Sequence, residues 1–359
     1  MVFFRKKGSI LNIHIYAPDI FPGDAVGNHC LGVAQLFRRF GFSVCLYAKN
    51  YPQDHPEIRT IEELPSLLSF HDLLYVSFSI YDPWLVRILD LPGKKIAYFH
   101  GITDPSLLEE WEPETALLCR KGLDQLSYLV KFDQIISNSP FVASGLLPFT
   151  SQLPQIVPPI FSDFSIFHQP LMPKKTLGKK KVILVLGRVV PHKKIEDAIT
   201  ILRNIRDKGL EYQMKIVGSL PNSSYSQYLF NHIKKLNLFE VVSFEGQVPE
   251  NKIYNLYQQS NAYLSMSMHE GFCIPAVEAM HFGLPVFIRE GTATQETVGS
   301  AGIILENNGG IDHSQKIIDL LESSTKLGIL VEKGYQRKQE LLSATRDEIW
   351  MQILKNLLV

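Results

Sequence analysis

Apolar and polar positions follow two rhythms along the chain. Short continuous apolar runs bounded by Gly, Pro, Asn or Asp predict buried strands, and apolar residues recurring every three to four positions predict helices. In the first half the runs are Ile10–Tyr16, Val44–Ala48, Asp72–Ser77, Lys95–Phe99 and Gln134–Ser137, closed by Ile156–Pro159. Helical patterns lie between them, over roughly Val26–Phe40 and within Pro105–Lys131. The alternation restarts with strands at Lys181–Leu186, Met214–Val217, Val241–Phe244, Ala262–Ser265 and Pro285–Ile288. Helices are predicted at Ile195–Lys208, Ser224–Leu236, Glu250–Ser260 and Pro275–Phe282, and they dominate after Gly309. The last, about Arg346–Leu358, carries Ile349, Trp350, Ile353, Leu354 and Leu357 on one stripe.

Strand and helix in alternation imply an α/β fold with parallel sheets covered on both faces. Two such halves are read: an N-terminal domain over 1–165 and a C-terminal domain over 182–340, with a final helix over 341–359. Residues 166–181 form the linker, with Pro170, Pro173 and a basic run read as a solvated connector. Ligands of such sheets bind at the carboxyl ends of the strands, so two facing halves predict a cleft.

The stretch Met268–Met280, MHEGFCIPAVEAM, holds the sharpest chemistry. Pro275 suits the first turn of a helix, because its fixed φ is helical and its missing N–H would have no partner there. Gly271, Phe272, Cys273 and Ile274 then lie at the helix start, where N–H groups and the dipole favour a phosphate. Glu270 and Glu278 flank that point and suit neutral hydroxyls. Phosphate in the middle with polyol at both ends describes a nucleotide sugar. The plainer alternative is an amphipathic helix with a stray loop carboxylate.

Gly187-Arg188, followed by Lys193, leaves the first strand of the second half, where a diphosphate would lie; the alternative is a surface loop with two solvated cations. Gly27 and Asn28 open the first helix, either as a second phosphate-facing terminus or as a turn with an Asn cap. His100 ends a strand and is either a substrate contact or a bystander.

Composition narrows the classes. Hydrophobic residues make up 45% and charged ones 20%, and 36 basic residues balance 36 acidic ones, which disfavours broad nucleic-acid binding. Cys30, Cys45, Cys119 and Cys273 are scattered without a CxxC pair, as expected for reduced thiols in a cytoplasmic protein. No apolar stretch is long enough to span a membrane, and MVFFRKKGS has the wrong order for a signal peptide. There is no GxGxxG, P-loop, HExxH, GxSxG or Asp-x-Asp, so no metal is expected.

With Gly187-Arg188 and Lys193, the strand Lys215–Gly218, Phe244–Val248, Tyr257, HEGFCIPAVEAM and Gly283–Val286, the chain resembles the family four retaining glycosyltransferases of GT-B architecture. GDAVGNHCLG is similar to the donor-side loop of the surface-polysaccharide branch; Cys273 and Gln295 depart from the family's usual Gly and Pro. The resemblance implies two Rossmann-like domains, with the C-terminal helix packing back on the first. It implies diphosphate contacts from Arg188 and Lys193, ribose contact from Glu278, sugar hydroxyls on Glu270 and the base on the backbone of Val248. Gly218 belongs to the same nucleotide side, His100 to the transferred sugar and Gly27 to the phosphates and acceptor. The implied co-substrates are a nucleotide diphosphate sugar and a saccharide or lipid-linked saccharide, without a metal and with peripheral membrane contact. Rival readings are an epimerase or phosphorylase of the same architecture, or a catalytically silent nucleotide-sugar-binding subunit.

Overall fold

The computed structural model describes residues 12–150, 154–161, 165–169, 180–307 and 312–358. Two compact units emerge. Unit 1 gathers Met1–Ile102, Leu117–Asp163 and Leu342–Val359; unit 2 gathers Thr103–Ala116 and Phe164–Leu341. The leader reading, the start of the strand predicted from Ile10 and most of the predicted linker fall outside the described residues.

Unit 1 holds β1 (Asn12–Asp19), β2 (Ser43–Asn50), β3 (Ile58–Thr60), β4 (Leu73–Phe78), β5 (Lys94–Phe99), β6 (Gln134–Ser137) and β7 (Gln155–Ile156). Their order is β3-β2-β1-β4-β5-β6-β7, and every pairing is parallel. β4, LLYVSF, is buried at all six positions, as expected of a strand covered on both faces. Sequence order reverses between β1 and β4, which makes their carboxyl ends the topological switch point of this sheet.

Unit 2 repeats the scheme with β8 (Lys181–Leu186), β9 (Tyr212–Val217), β10 (Val242–Gly246), β11 (Ala262–Ser265), β12 (Val286–Arg289) and β13 (Gly302–Leu305). The order is β10-β9-β8-β11-β12-β13, again parallel, with the reversal between β8 and β11.

The helix Asp347–Leu358 is last in sequence yet belongs to unit 1. Trp350, Ile353 and Leu354, at i, i+3 and i+4, are buried in that core. The indole meets Phe37 edge-on at 5.8 Å and stacks on Tyr98 at 6.4 Å. Residues Thr103–Ala116 instead count with unit 2, a detour absent from the domain bounds read from the sequence. Trp111 holds it there, 5.2 Å from the Tyr228 ring, and its carbonyl accepts from Asn222 Nδ2 at 2.8 Å.

The predicted helical region within 105–131 is broken into a turn, Pro105–Leu107, and two helices, Pro113–Asp124 and Leu126–Leu129. Proline lacks the N–H that would continue a helix through it. The short strands β3 and β13 were not predicted: Ile-Arg-Thr and Gly-Ile-Ile-Leu are too brief to show a period.

Candidate functional site

The switch point of unit 2 gathers the charged groups. β8 ends at Leu186, and Gly187 N donates to Val217 O at 2.9 Å, prolonging the ladder by one bond. Gly218, at the end of β9, has φ +144, and a Cβ there would sit 1.9 Å from Gly187 O. Two backbones therefore pass within a distance that only glycine allows, which fixes where Arg188 leaves the sheet. The chain then makes a short turn, Pro191–Lys193, and enters the helix Ile195–Asp207.

That turn is tied to the segment after β11. Met268 N donates to His192 O at 2.8 Å, and Ser267 Oγ donates to His269 O at 2.8 Å. Lys193 Nζ consequently reaches Glu270 Oε1 at 2.6 Å, with the two side chains 22% and 11% exposed. A shallow pocket lies alongside, lined by Gly187, Arg188, Lys193, Tyr263, Ser265 and Met266 among others. His192 is buried, and burial together with Lys193 lowers its pKa to about 2, so its ring is neutral beside the two cations.

Glu270 opens the loop ahead of the helix Ile274–His281. Thr297 Oγ1 donates to Phe272 O at 2.5 Å and Ala293 N donates to Glu270 O at 3.3 Å, so the helix Thr294–Val298 braces this loop from behind. Cys273 is the residue before the helix and adopts a left-handed conformation, φ 73 and ψ 71, without a side-chain cap bond. Glycine would take that conformation without strain. Here the thiol is buried 3.6 Å from Tyr263 Oη, and burial pushes its pKa up to about 12, which keeps it in the neutral form. Ile274 is the first helical residue and Pro275 the second, one position later than the sequence suggested. Gln295, the other departure, accepts from Gly291 N at 2.6 Å and closes that turn with a side chain.

One turn into the same helix, Glu278 is partly buried, and Tyr257 Oη donates to its Oε2 at 2.7 Å. Burial raises the carboxyl's pKa to about 7, partly countered by that hydrogen bond. Val248 lies past β10 on the edge of the sheet, and Gly218 N donates to Gly246 O at 2.9 Å, tying that edge to the end of β9. Arg188, Lys193, Glu270, Gly271, Phe272, Cys273, Ile274 and Glu278, with Gly187, Gly218 and Val248, thus all belong to unit 2.

Gly27, Asn28 and His100 belong to unit 1. The first helix opens at Ala25, earlier than the reading at Gly27, and its cap is Asp24, whose side chain accepts from Val26 N at 3.1 Å. Asn28 is no cap: its Oδ1 accepts from Gly23 N at 2.8 Å and pins the preceding loop. Gly27 is buried against that loop, since a Cβ would meet Phe21 O at 2.1 Å. His100 follows β5 with Nε2 2.7 Å from Ser77 Oγ, and burial lowers its pKa to about 3. His29 is buried beside it, 5.1 Å ring to ring and edge-on.

Sequence reasoning missed His29, Ser77 and Tyr263, and assigned Tyr257 no role. Each is buried, so packing alone accounts for the residue type, and only the partner across the fold marks it. Among the described residues no three His, Cys, Asp or Glu side chains gather as a metal site. Among them, too, no helix is long and apolar enough to cross a membrane.

Residues 169–337 match the family of glycosyl transferases group 1. The O-antigen chain mannosyltransferase B of Escherichia coli is 23% identical over 172 residues, covering 48% of this chain and 45% of that protein. The capsular polysaccharide biosynthesis glycosyltransferase CapM of Staphylococcus aureus is 25% identical over 205 residues, covering 54% and 50%. The chain thus spans about half the length of these curated relatives. Among solved structures, Anabaena HepE in complex with UDP and glucose superposes with a TM-score of 0.75 at 16% identity, covering 97% of this chain and 100% of that one. The fold is GT-B: two parallel-sheet α/β units of seven and six strands.

Proposed function

We propose, from the group 1 glycosyl transferase domain that residues 169–337 form, that the protein moves a hexose from a nucleotide diphosphate sugar to a hydroxyl of a glycan or lipid-linked sugar, with retention and without a metal. The observation that supports this reading is the pairing of Lys193 with Glu270, 2.6 Å apart, at the unit 2 switch point, with Arg188 and Lys193 lining the same pocket. Arg188 and Lys193 supply positive charge for the departing diphosphate. Glu270 receives hydroxyls of the donor sugar and Glu278 those of the ribose.

In the reaction the bond from the anomeric carbon to the diphosphate oxygen breaks. A new bond forms from that carbon to the acceptor oxygen on the same face. The acceptor proton passes to the departing diphosphate, so no protein nucleophile is required. Catalysis then comes from positioning and from preorganised charge. His100 stays neutral through the working pH range because its pKa is lowered to about 3. It is suited to a hydrogen bond with the transferred sugar and not to a charge contact.

The names of the relatives support a surface-polysaccharide substrate, and they favour a sugar acceptor over free phosphate. The test is a screen of UDP-, GDP- and ADP-sugars for transfer, repeated in EDTA and with Arg188→Ala. The expected result is full activity in EDTA and a loss of about 10²-fold or more in Arg188→Ala, the scale of one preorganised electrostatic contact. Near-normal transfer by Arg188→Ala, or strict dependence on magnesium, would overturn the scheme.

A further inference from the structure

We propose that Tyr257 is a positioning residue that holds the Glu278 carboxylate in the orientation that receives the ribose hydroxyls. The inference rests on the nucleotide-sugar reading of the site and adds to it the residue through which Glu278 acts. Tyr257 lies on the helix Glu250–Gln259, and its side chain is fully buried. Its ring stacks on Phe282 with centroids 5.2 Å apart and planes 13° from parallel. Tyr254 also packs on Phe282, edge-on at 5.3 Å. The phenol is therefore fixed before it touches anything polar.

Its hydroxyl faces two acceptors on the helix Ile274–His281: Glu278 Oε2 at 2.7 Å and Pro275 O at 3.2 Å. A phenol has one proton to donate, and a carboxylate is the stronger acceptor, so the short contact is the bond and the long one a weaker share. Burial and the neighbouring Glu278 charge hold that proton on the phenol, keeping Tyr257 a donor. Among the described residues no other side chain is bonded to Glu278. Oε2 is thus engaged from the protein side and Oε1 is left for ligand. A vicinal diol needs two donated bonds on a carboxylate of fixed plane, and an unrestrained Glu would lose rotamer freedom on binding. Glu278 is instead held in place before the nucleotide arrives.

A plainer role would be helix anchoring through Pro275, and the experiment separates the two. Tyr257→Phe keeps the stack on Phe282 and removes only the hydroxyl. UDP, GDP and ADP, each with its 2′,3′-dideoxy counterpart, are titrated calorimetrically into wild type, Tyr257→Phe, Glu278→Gln and the double variant. A hydrogen bond to a charged group predicts a loss of about tenfold for the ribonucleotide in Tyr257→Phe. The dideoxy nucleotide is expected to change by less than about twofold, and the loss is expected to vanish in the Glu278→Gln background. Equal losses for both nucleotides, or no loss for either, would overturn the positioning role while leaving the binding site in place. Binding of none of UDP, GDP and ADP by wild type would overturn the reading of the site and this proposal with it. Should Tyr257→Phe fail to fold, 3-fluorotyrosine at position 257, a stronger donor of nearly the same shape, is expected to raise the ribose preference; an unchanged preference sinks the proposal.

Discussion

Replacing Glu270 by Gln is expected to move two measurements in opposite directions. In the free protein Lys193 Nζ lies 2.6 Å from Glu270 Oε1, and the two side chains are 22% and 11% exposed. At an effective dielectric of about 20 the gross attraction at that distance is roughly 6 kcal/mol. Dehydrating both groups offsets most of it, leaving a net of about 1 kcal/mol, near the upper end for pairs with access to water. A diphosphate that draws on Lys193 must share or displace that partner. Glu270→Gln keeps the shape and an acceptor oxygen but removes the competing charge. UDP or GDP affinity, whichever base the site takes, is therefore expected to tighten by about fivefold, the equivalent of 1 kcal/mol. Turnover of the matching nucleotide sugar is expected to fall by about 10²-fold, because the carboxylate proposed to receive the sugar hydroxyls is gone. Calorimetry with the nucleoside diphosphate and a transfer assay with the nucleotide sugar read the two effects separately. Weaker diphosphate binding in step with lost turnover would refute the reasoning, since Glu270 would then assist the phosphates instead of competing with them.

Two more expectations follow from backbone and burial. Gly218→Ala should cost more than about 3 kcal/mol in urea unfolding, since it combines a disallowed φ with a backbone overlap. Gly209→Ala, at φ +81 with nothing within 4 Å of its Cβ, should cost only about 1 kcal/mol of left-handed strain; equal losses would mean that the approach of Gly218 to Gly187 is not tight. Glu278, raised from 4.5 to about 7 by burial, keeps its proton in the folded state where the unfolded chain has lost it. Its contribution to stability thus falls as pH rises from 4.5 to about 7, and Glu278→Gln should flatten the wild-type slope across that window; identical slopes would contradict the shift. For the same reason nucleotide affinity should weaken as pH falls through 7, as the carboxylate proposed to receive the ribose becomes protonated, measured by calorimetry at fixed salt.

Much of the fold was legible in the chain, and so were the candidate charges. The apolar runs marked most strands, because a strand buried on both faces, such as Leu73–Phe78, must be almost wholly apolar. Gly187-Arg188, Lys193 and the Glu270–Glu278 element stood out as candidates by their place at a strand end and a helix start, where a ligand role and a plain structural role both fit. Pro275 was read correctly as part of a first helical turn, since its missing N–H is harmless only there. Of the two readings of Gly27-Asn28, the Asn cap fails because Asp24 holds that place: capping depends on which residue leaves the helical conformation, a choice of one or two positions that composition does not decide.

Residue types and their order along the chain determined the strand runs, the helix starts and the identity of the charges. Only the folded chain decided which of those groups meet. The reversal of strand order between β8 and β11 brings Lys193 to Glu270 across 77 positions of sequence. The packing of two helices places the Tyr257 hydroxyl on Glu278, 21 positions away. Burial in turn sets the protonation of His100, His192 and Glu278, because taking a charge out of water costs more than any local residue preference. Contact and dehydration arise between segments remote in sequence, so no local pattern of residues encodes them.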